Sequence, residues 1–184
     1  ASGSKPSYAR HGRVMVMRFV QGTGSTEARA AGFMEAASAG GLEIVADPYP
    51  ETGTIEGAKN AAVNTLEGFV RGEQLDLEGI FACNLIATLG VVSALDDLEK
   101  SGIRTDVAFV GFDTSPRLVE ELMKGRIDAL VAQDPQRMGR LAVETLVDVL
   151  RGRPVEAVVD TGVHLVTKDA LSEDPALRAL VGHD

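Results

Sequence analysis

Four polar side chains stand at the ends of predicted strands, where they could act together on one ligand. Asn84 ends the third predicted strand, Asp113 follows the fourth, and Gln133 ends the fifth. Arg29 lies near the start of the helix that follows the first strand. A carboxylate accepts hydrogen bonds, a guanidinium donates them in a fork, and an amide does both. This set suits a ligand rich in hydroxyl groups, to which Phe112 could offer an apolar face.

Asn84 and Asp113 also have a simpler interpretation, because each of them precedes a predicted helix. Asn and Asp are favoured at the N-cap, where the side chain accepts a hydrogen bond from a backbone N–H group. For either residue alone, capping explains the sequence as well as ligand binding does. Capping does not explain why polar groups mark four separate strand-to-helix connections, so both interpretations stay open.

The elements that must position these residues alternate between short apolar runs and longer runs with helical periodicity. The predicted strands span residues 13–19, 42–49, 79–84, 106–112 and 128–134. The predicted helices span residues 25–40, 54–72, 87–102, 116–126 and 135–152. This alternation indicates an α/β fold of three layers, a mostly parallel sheet with helices on both faces. Ligands bind such sheets at the carboxyl ends of the strands, where the four polar side chains fall.

The composition restricts the classes of function. The chain has 184 residues and a formal net charge of -9, which disfavours binding to nucleic acid through its phosphate backbone. No apolar run reaches the length of a membrane span. The single cysteine, Cys83, predicts a buried and inert thiol. The three histidines lie too far apart for a metal site, and no nucleophile–base pair or complete glycine-rich loop is present, so neither an enzyme activity nor a cofactor is predicted.

Several motifs carry a resemblance to a known family. GTGSTEARAAGF, GIFACN, VAFVGFDTSP, GRIDALVAQDPQRMG and VHLVTKD are similar, in order and spacing, to segments of the type I periplasmic sugar-binding proteins of bacterial ABC transporters, near the ribose-binding branch. The resemblance implies a monosaccharide ligand, a pentose or a hexose, and an ABC permease as membrane partner. It also implies a periplasmic location, with the signal peptide outside this chain. By motif match it assigns the sugar contacts to Arg29, Asn84, Phe112, Asp113 and Gln133.

The resemblance also predicts how the chain is divided. Family members have two Rossmann-like lobes, and this chain resembles the second lobe with the first one missing. We expect a linker or disordered tail at 1–12, the sugar-binding C-terminal lobe at 13–133, a closing helix and strand at 134–160 that belong with the missing first lobe, and a return strand and terminal helix at 161–184. One stripe of the closing helix would then lack its partner, which predicts that the fragment forms a homodimer, swaps elements or folds the helix back. This stripe consists of Met138, Leu141, Ala142, Thr145 and Val149.

Two positions depart from the family pattern. The family commonly places Asp after the asparagine, but here Leu85 follows Asn84, which predicts the loss of a helix cap or network partner. The loop after the second strand often presents an aromatic ring to the sugar, and here Gly53 occupies that place, with Tyr49 as the candidate substitute.

The alternative function is the effector-binding domain of a LacI-type transcription regulator, which shares the fold. Such a regulator needs a basic helix-turn-helix segment, and this acidic chain offers none.

Overall fold

The protein, seen here in a computed structural model, is described from Gly12 to Gly182. Apart from Gly12, the tail predicted at 1–12 lies outside the described residues, as do the last two residues of the chain. The strands are β1 Arg13–Met17, β2 Glu43–Ala46, β3 Val70–Arg71, β4 Gln74–Leu75, β5 Gly79–Ala82, β6 Ala108–Phe112, β7 Ala129–Ala132 and β8 His164–Val166. The helices are α1 Gly24–Ala39, α2 Ile55–Glu67, α3 Leu85–Lys100, α4 Pro116–Met123, α5 Pro135–Leu150, α6 Lys168–Glu173 and α7 Pro175–Val181.

Six strands form the central sheet in the order β2-β1-β5-β6-β7-β8. All neighbouring pairs are parallel except β7 and β8, which are antiparallel. The carboxyl ends of β2, β1, β5, β6 and β7 therefore lie side by side along one edge of the sheet, and each is followed by a connection to a helix. This edge is the one on which the sequence places the polar side chains.

The sheet is covered on both faces, because its strands alternate apolar side chains between two cores. Met15 and Met17 point into the larger core, which packs against α2, α3, α4, α6 and α7. Val16 points the other way, into a smaller core with Phe81 that α1 covers. Strands that are buried on both faces have this apolar composition. The predicted mostly parallel sheet with helices on both faces is confirmed.

The larger core depends on close contact between α2 and α3. Gly90 of α3 lies directly against Ala58 of α2, because a Cβ atom added to Gly90 would lie 2.5 Å from Ala58 Cβ and 2.8 Å from the backbone N of Lys59. Ala62 and Leu66 continue the buried face of α2 without exposure to solvent. Small residues at the crossing thus let the two helix backbones approach each other.

Two element boundaries differ from the sequence-based expectation. The helix predicted at 54–72 ends at Glu67, and β3 and β4 follow it as a short antiparallel ribbon. The ribbon turns at Gly72 and Glu73, and Gly72 has a positive φ of 61° that suits a tight two-residue hairpin. The strand predicted at 42–49 ends at Ala46, two residues before the first of two prolines that cannot donate to a strand ladder.

The region after α5 contains one strand where two extended segments were expected. Only β8 joins the sheet, and the described chain has no strand or helix between Gly152 and β8. The strand expected before residue 160 is not formed in this chain, where β8 pairs with β7, and the assignment of that segment to a second lobe stays a prediction. The segment is exposed, with Val158 83% accessible. The predicted terminal helix is present as α7, and α6 precedes it.

Helix α5 has no buried residue. Val143, Leu146 and Leu150 are 61%, 56% and 77% exposed, although each is a large apolar side chain. The predicted unpartnered stripe is partly correct: Met138 and Val149 are exposed, whereas Leu141 and Thr145 are half-buried. Val143, Leu146 and Leu150, beside the predicted stripe on the same helix, expose more apolar surface than the stripe itself. Within residues 12–182, no helix has the length and hydropathy needed to cross a membrane.

Candidate functional site

Asp113 sits at the carboxyl end of β6 in an unusual backbone conformation. Its φ is +65°, and it is the one residue other than glycine with a positive φ among those described. Asp tolerates this left-handed region better than most residues, but a side chain there still costs about 1 kcal/mol. The backbone N–H of Asp113 donates to Val131 O at 2.8 Å, which fixes the turn against β7.

The carboxylate of Asp113 is held from two neighbouring connections. Gln133 Nε2 donates to Oδ1 at 2.9 Å, and the backbone N–H of Leu85 donates to Oδ2 at 3.2 Å. Asp113 therefore joins the ends of β5 and β7 across the end of β6. A carboxylate has about four acceptor positions, so two remain for a ligand. Two internal hydrogen bonds thus hold the half-buried Asp113 before any ligand arrives.

Asn84 is the N-cap of α3, so the capping interpretation is confirmed for this residue. Its Oδ1 accepts from Ala87 N at 2.9 Å, and its NH2 group has no acceptor within residues 12–182. The same side chain can thus cap the helix and donate to a ligand. The expected loss of a cap at Leu85 is wrong, because Asn84 provides the cap and the N–H of Leu85 is bound by Asp113.

Asp113 does not cap the helix that follows it. Ser115 is the N-cap of α4, and its Oγ accepts from Leu118 N at 3.3 Å. The capping interpretation of Asp113 is therefore wrong for that helix. Asp113 instead accepts from the first N–H of α3, that of Leu85, which is distant in sequence. Sequence reasoning did not find this contact.

Arg29 extends from α1 across the ring of Phe112. The guanidinium carbon lies 3.7 Å from the ring centroid, and one terminal N–H donates to Cys83 O at 3.0 Å. The other N–H groups of Arg29 have no acceptor in the described part of the chain. Phe112 is only 6% exposed, so its ring supports Arg29 instead of presenting a free apolar face. The structure brings all five predicted residues to one edge of the sheet.

Thr88 links Asn84 at the start of α3 to Phe112 at the end of β6, and the sequence analysis missed it. It is fully buried on α3. Its hydroxyl donates to Asn84 O at 2.8 Å and accepts from Phe112 N at 3.1 Å. The signal that could have identified it is a hydroxyl residue one turn after a capping asparagine, on an otherwise apolar helix face.

An ionic network lies beside this site, after β1 and β2. Arg18 pairs with Glu27 at 2.7 Å and with Asp47 at 3.1 Å, and Tyr49 donates to Glu27 at 3.0 Å. Burial lowers the pKa of Arg18, but the hydrogen bond that Arg18 donates to Asp47 and the surrounding negative charge outweigh burial and raise it. Burial and the hydrogen bond to Glu27 raise the pKa of Tyr49. This network was also missed, because its members are spread over three elements.

Cys83 is expected to be chemically inert in the folded chain. Burial raises the pKa of its thiol to about 11, so near pH 8 only about one thiol in a thousand is ionised. Iodoacetamide should therefore leave the native chain unlabelled and should label the chain unfolded in guanidinium, as mass spectrometry would show. Rapid labelling of the native chain would mean that the smaller core opens to solvent.

Comparison with known proteins identifies the family. Residues 2–154 match the family described as periplasmic binding protein domain, and the chain belongs to this family. The chain is 30% identical over 156 residues to the ribose import binding protein RbsB of Escherichia coli (strain K12), across 85% of this chain and 49% of that protein. It thus spans about half the length of the curated relatives it matches.

Solved structures agree with this assignment. A carbohydrate transporter solute-binding protein from Agrobacterium radiobacter, in complex with D-arabinose, is 35% identical with a TM-score of 0.80, over 93% of this chain and 55% of that chain. An ABC transporter solute-binding protein from Agrobacterium vitis with bound D-fucose is 31% identical with a TM-score of 0.77, over 90% of this chain and 54% of that chain. The predicted family resemblance is confirmed.

Proposed function

We propose that this chain is one lobe of the solute-binding component of a bacterial ABC sugar importer. The observation that carries the proposal is the convergence of Arg29, Asn84, Asp113 and Gln133 from four separate connections, with hydrogen-bonding capacity left over on each. The relatives reported above are named as import or transporter binding proteins. A periplasmic location and an ABC permease as partner follow from the same proposal.

Each side chain has a distinct role in holding a monosaccharide. Asp113 accepts hydrogen bonds from two hydroxyl groups, and Arg29 donates from its remaining N–H groups. Asn84 donates through its NH2 group, and Gln133 accepts through Oε1. Because internal hydrogen bonds already fix these side chains, a sugar loses little affinity to their ordering.

The chemistry of the site favours a neutral ligand that binds without reacting. One guanidinium and one carboxylate balance each other, and the two amides carry no charge. The thiol of Cys83, the residue before Asn84, is buried with a pKa raised to about 11. We therefore propose binding without catalysis. The LacI-type alternative gains no support from the relatives reported above, none of which is named as a regulator.

Calorimetry of this chain with D-ribose, D-arabinose and D-fucose tests the proposal. We expect saturable binding that is weak, with a Kd of about 1 mM or more, because one wall contacts only one side of a ligand that complete sites bury by about 70–90%. Arg29→Lys keeps the charge but removes the fork, and it should weaken the binding. Absence of saturable binding to every pentose and hexose tested would contradict the proposed function, and micromolar affinity would contradict the single-wall interpretation.

We further propose that residues 134–160 pack against a second lobe that is not part of this chain. The support is the exposed apolar surface of α5, together with the half-length match to the relatives. Large exposed apolar patches mark interaction surfaces. A second lobe placed there would also give the exposed segment after α5 an edge on which to form the strand that it lacks here.

The chain alone is expected to form a homodimer through α5. Sedimentation velocity should give about twice the chain mass of 19.4 kDa at micromolar concentration and above. Changing Leu146 and Leu150 together to Gln should shift the chain to monomer, because both are more than half exposed and the change removes apolar contact without adding charge. A wild-type chain that sediments as a monomer with α5 in solvent would rule out this association.

A further inference from the structure

Ligand sites combine a few placed polar groups with apolar surface, and the site described above lacks an available apolar face. The ring of Phe112 is 6% exposed and lies under Arg29. All but one of the other aromatic side chains of the described chain are already engaged. Phe33 and Phe81 stack on each other, and Phe109 is fully buried in the larger core. Phe69 lies under the Arg13 guanidinium, and Tyr49 belongs to the ionic network. The exception is Phe19, which is half-buried and has no ring or cation partner.

Phe19 lies on the edge of the sheet that carries the polar groups. It follows β1, whose carboxyl end is next to that of β5, and Asn84 follows β5. Asp113 stands one strand further along. Neighbouring strands lie about 4.8 Å apart, so the connection that holds Phe19 is about two strand spacings, or about 10 Å, from Asp113.

The ring of Phe19 occupies space that the absence of a side chain at residue 53 leaves open. A Cβ atom placed on Gly53 would lie 3.2 Å from Phe19 Cζ and 3.3 Å from Val20 Cγ2. Such distances are tighter than ordinary van der Waals contact, so even a Cβ atom at position 53 would require Phe19 and Val20 to shift by a few tenths of an ångström. Gly53 does not have a positive φ, so its backbone conformation itself permits a side chain.

Arg18, the residue before Phe19, is held through both its backbone and its side chain. The backbone N–H of Arg18 donates to Pro48 O at 3.1 Å, and the Arg18 guanidinium bridges Glu27 and Asp47. These contacts anchor the connection after β1 to α1 and to the end of β2. The ionic network thereby positions Phe19 before a ligand binds, which reduces the ordering cost of binding.

From these contacts we propose that Phe19 supplies the apolar face of the sugar site and that Gly53 provides the room for its ring. The proposal rests on the proposed function. The ring packs against the C–H face of a cyclic monosaccharide, and this contact selects ring sugars over open-chain polyols with the same hydroxyl groups. D-ribose should therefore bind more tightly than ribitol, and the difference should shrink when the ring is removed.

A single-tryptophan variant tests the position of the ring. The chain contains no tryptophan, so Phe19→Trp introduces the only indole fluorophore. Its emission should change saturably with D-ribose, while Leu42→Trp, at the amino end of β2 and so on the opposite edge of the sheet, should not respond. No response from a Phe19→Trp chain that still binds D-ribose by calorimetry would overturn the proposal.

Removal of the ring tests its contribution to affinity. Phe19→Leu, which keeps apolar volume, and Phe19→Ala should each weaken D-ribose binding by about fivefold, within the range measured for aromatic contacts. Leu42→Ala, which removes an exposed apolar side chain at the amino end of β2 and so on the opposite edge of the sheet, is the control and should leave the Kd unchanged. The exchange Phe19→Gly with Gly53→Phe should return the Kd to within about twofold of wild type, because it places a ring in the same space from the other connection.

The outcomes separate this inference from the proposed function. If the wild-type chain shows no saturable sugar binding, the proposed function fails. If the wild type binds, Arg29→Lys weakens binding and both Phe19 variants bind like wild type, only the role of Phe19 fails. Circular dichroism of each variant shows whether a lost affinity reflects a lost fold. If Phe19→Ala does not fold, the affinity of Phe19→Leu decides the question.

Discussion

Asp113→Asn is expected to abolish measurable sugar binding while leaving the fold nearly unchanged. The amide has the size of the carboxylate and tolerates the φ of +65°. Its oxygen can still accept one of the two internal hydrogen bonds that hold residue 113. The amide nitrogen cannot accept, however, so the charge-assisted bonds to ligand hydroxyls are lost. Such bonds contribute about 1.5–3 kcal/mol each, so a loss of about 100-fold in affinity is expected. Calorimetry for binding and circular dichroism for folding measure the two effects.

Asp106→Asn provides the matched control for this change. Asp106 is exposed and lies just before β6, at the opposite edge of the sheet from Asp113. The control variant changes the net charge by the same amount without touching the site. Equal losses in both variants would indicate a general charge effect, and binding by Asp113→Asn at wild-type strength would remove Asp113 from the site.

Gly90→Ala is expected to lower the free energy of unfolding by about 3 kcal/mol, the upper part of the usual range for overpacking. Alanine is ordinarily the better helix former by about 1 kcal/mol, so the predicted sign is opposite to the helix propensity. The reason is that the new methyl group would lie 2.5 Å from Ala58 Cβ and 2.8 Å from the backbone of α2. Neither a methyl group nor helix backbone can rotate away, so α2 and α3 would have to separate.

Gly32→Ala on α1 gives the opposite expectation. A Cβ atom there meets nothing within 4 Å, so the variant should be more stable by about 0.5–1 kcal/mol. Equilibrium unfolding in urea measures both variants against wild type. A Gly90→Ala chain as stable as the Gly32→Ala chain would show that the α2–α3 contact can relax.

The arrangement of the fold could be predicted from local patterns. Apolar runs alternating with helical periodicity led to the parallel sheet, and the rule that ligands bind at strand carboxyl ends placed Asn84, Asp113 and Gln133 on one edge. The order of strands within the sheet was not predicted residue by residue. It arises from long-range pairing, such as that of β1 with both β2 and β5, which no local pattern encodes.

The contacts inside the site could not be predicted, because they depend on three-dimensional proximity. The hydrogen bond from Leu85 N to Asp113 joins residues 28 positions apart, and the bridge made by Thr88 joins β6 to α3 across 24 positions. The role of Phe112 changed for the same reason. Sequence placed a ring beside a carboxylate, and only the fold shows that a guanidinium covers it.

The left-handed backbone at position 113 restricts how this lobe can acquire a new preference among sugars. A residue there must first tolerate a φ of +65°, which in practice admits Asp, Asn and Gly. Most other residues at that codon would lower stability by about 1–2 kcal/mol through backbone strain, whatever they do to ligand range. Diversification of specificity, over generations or in a variant library, is therefore less costly at surrounding positions with ordinary torsion angles.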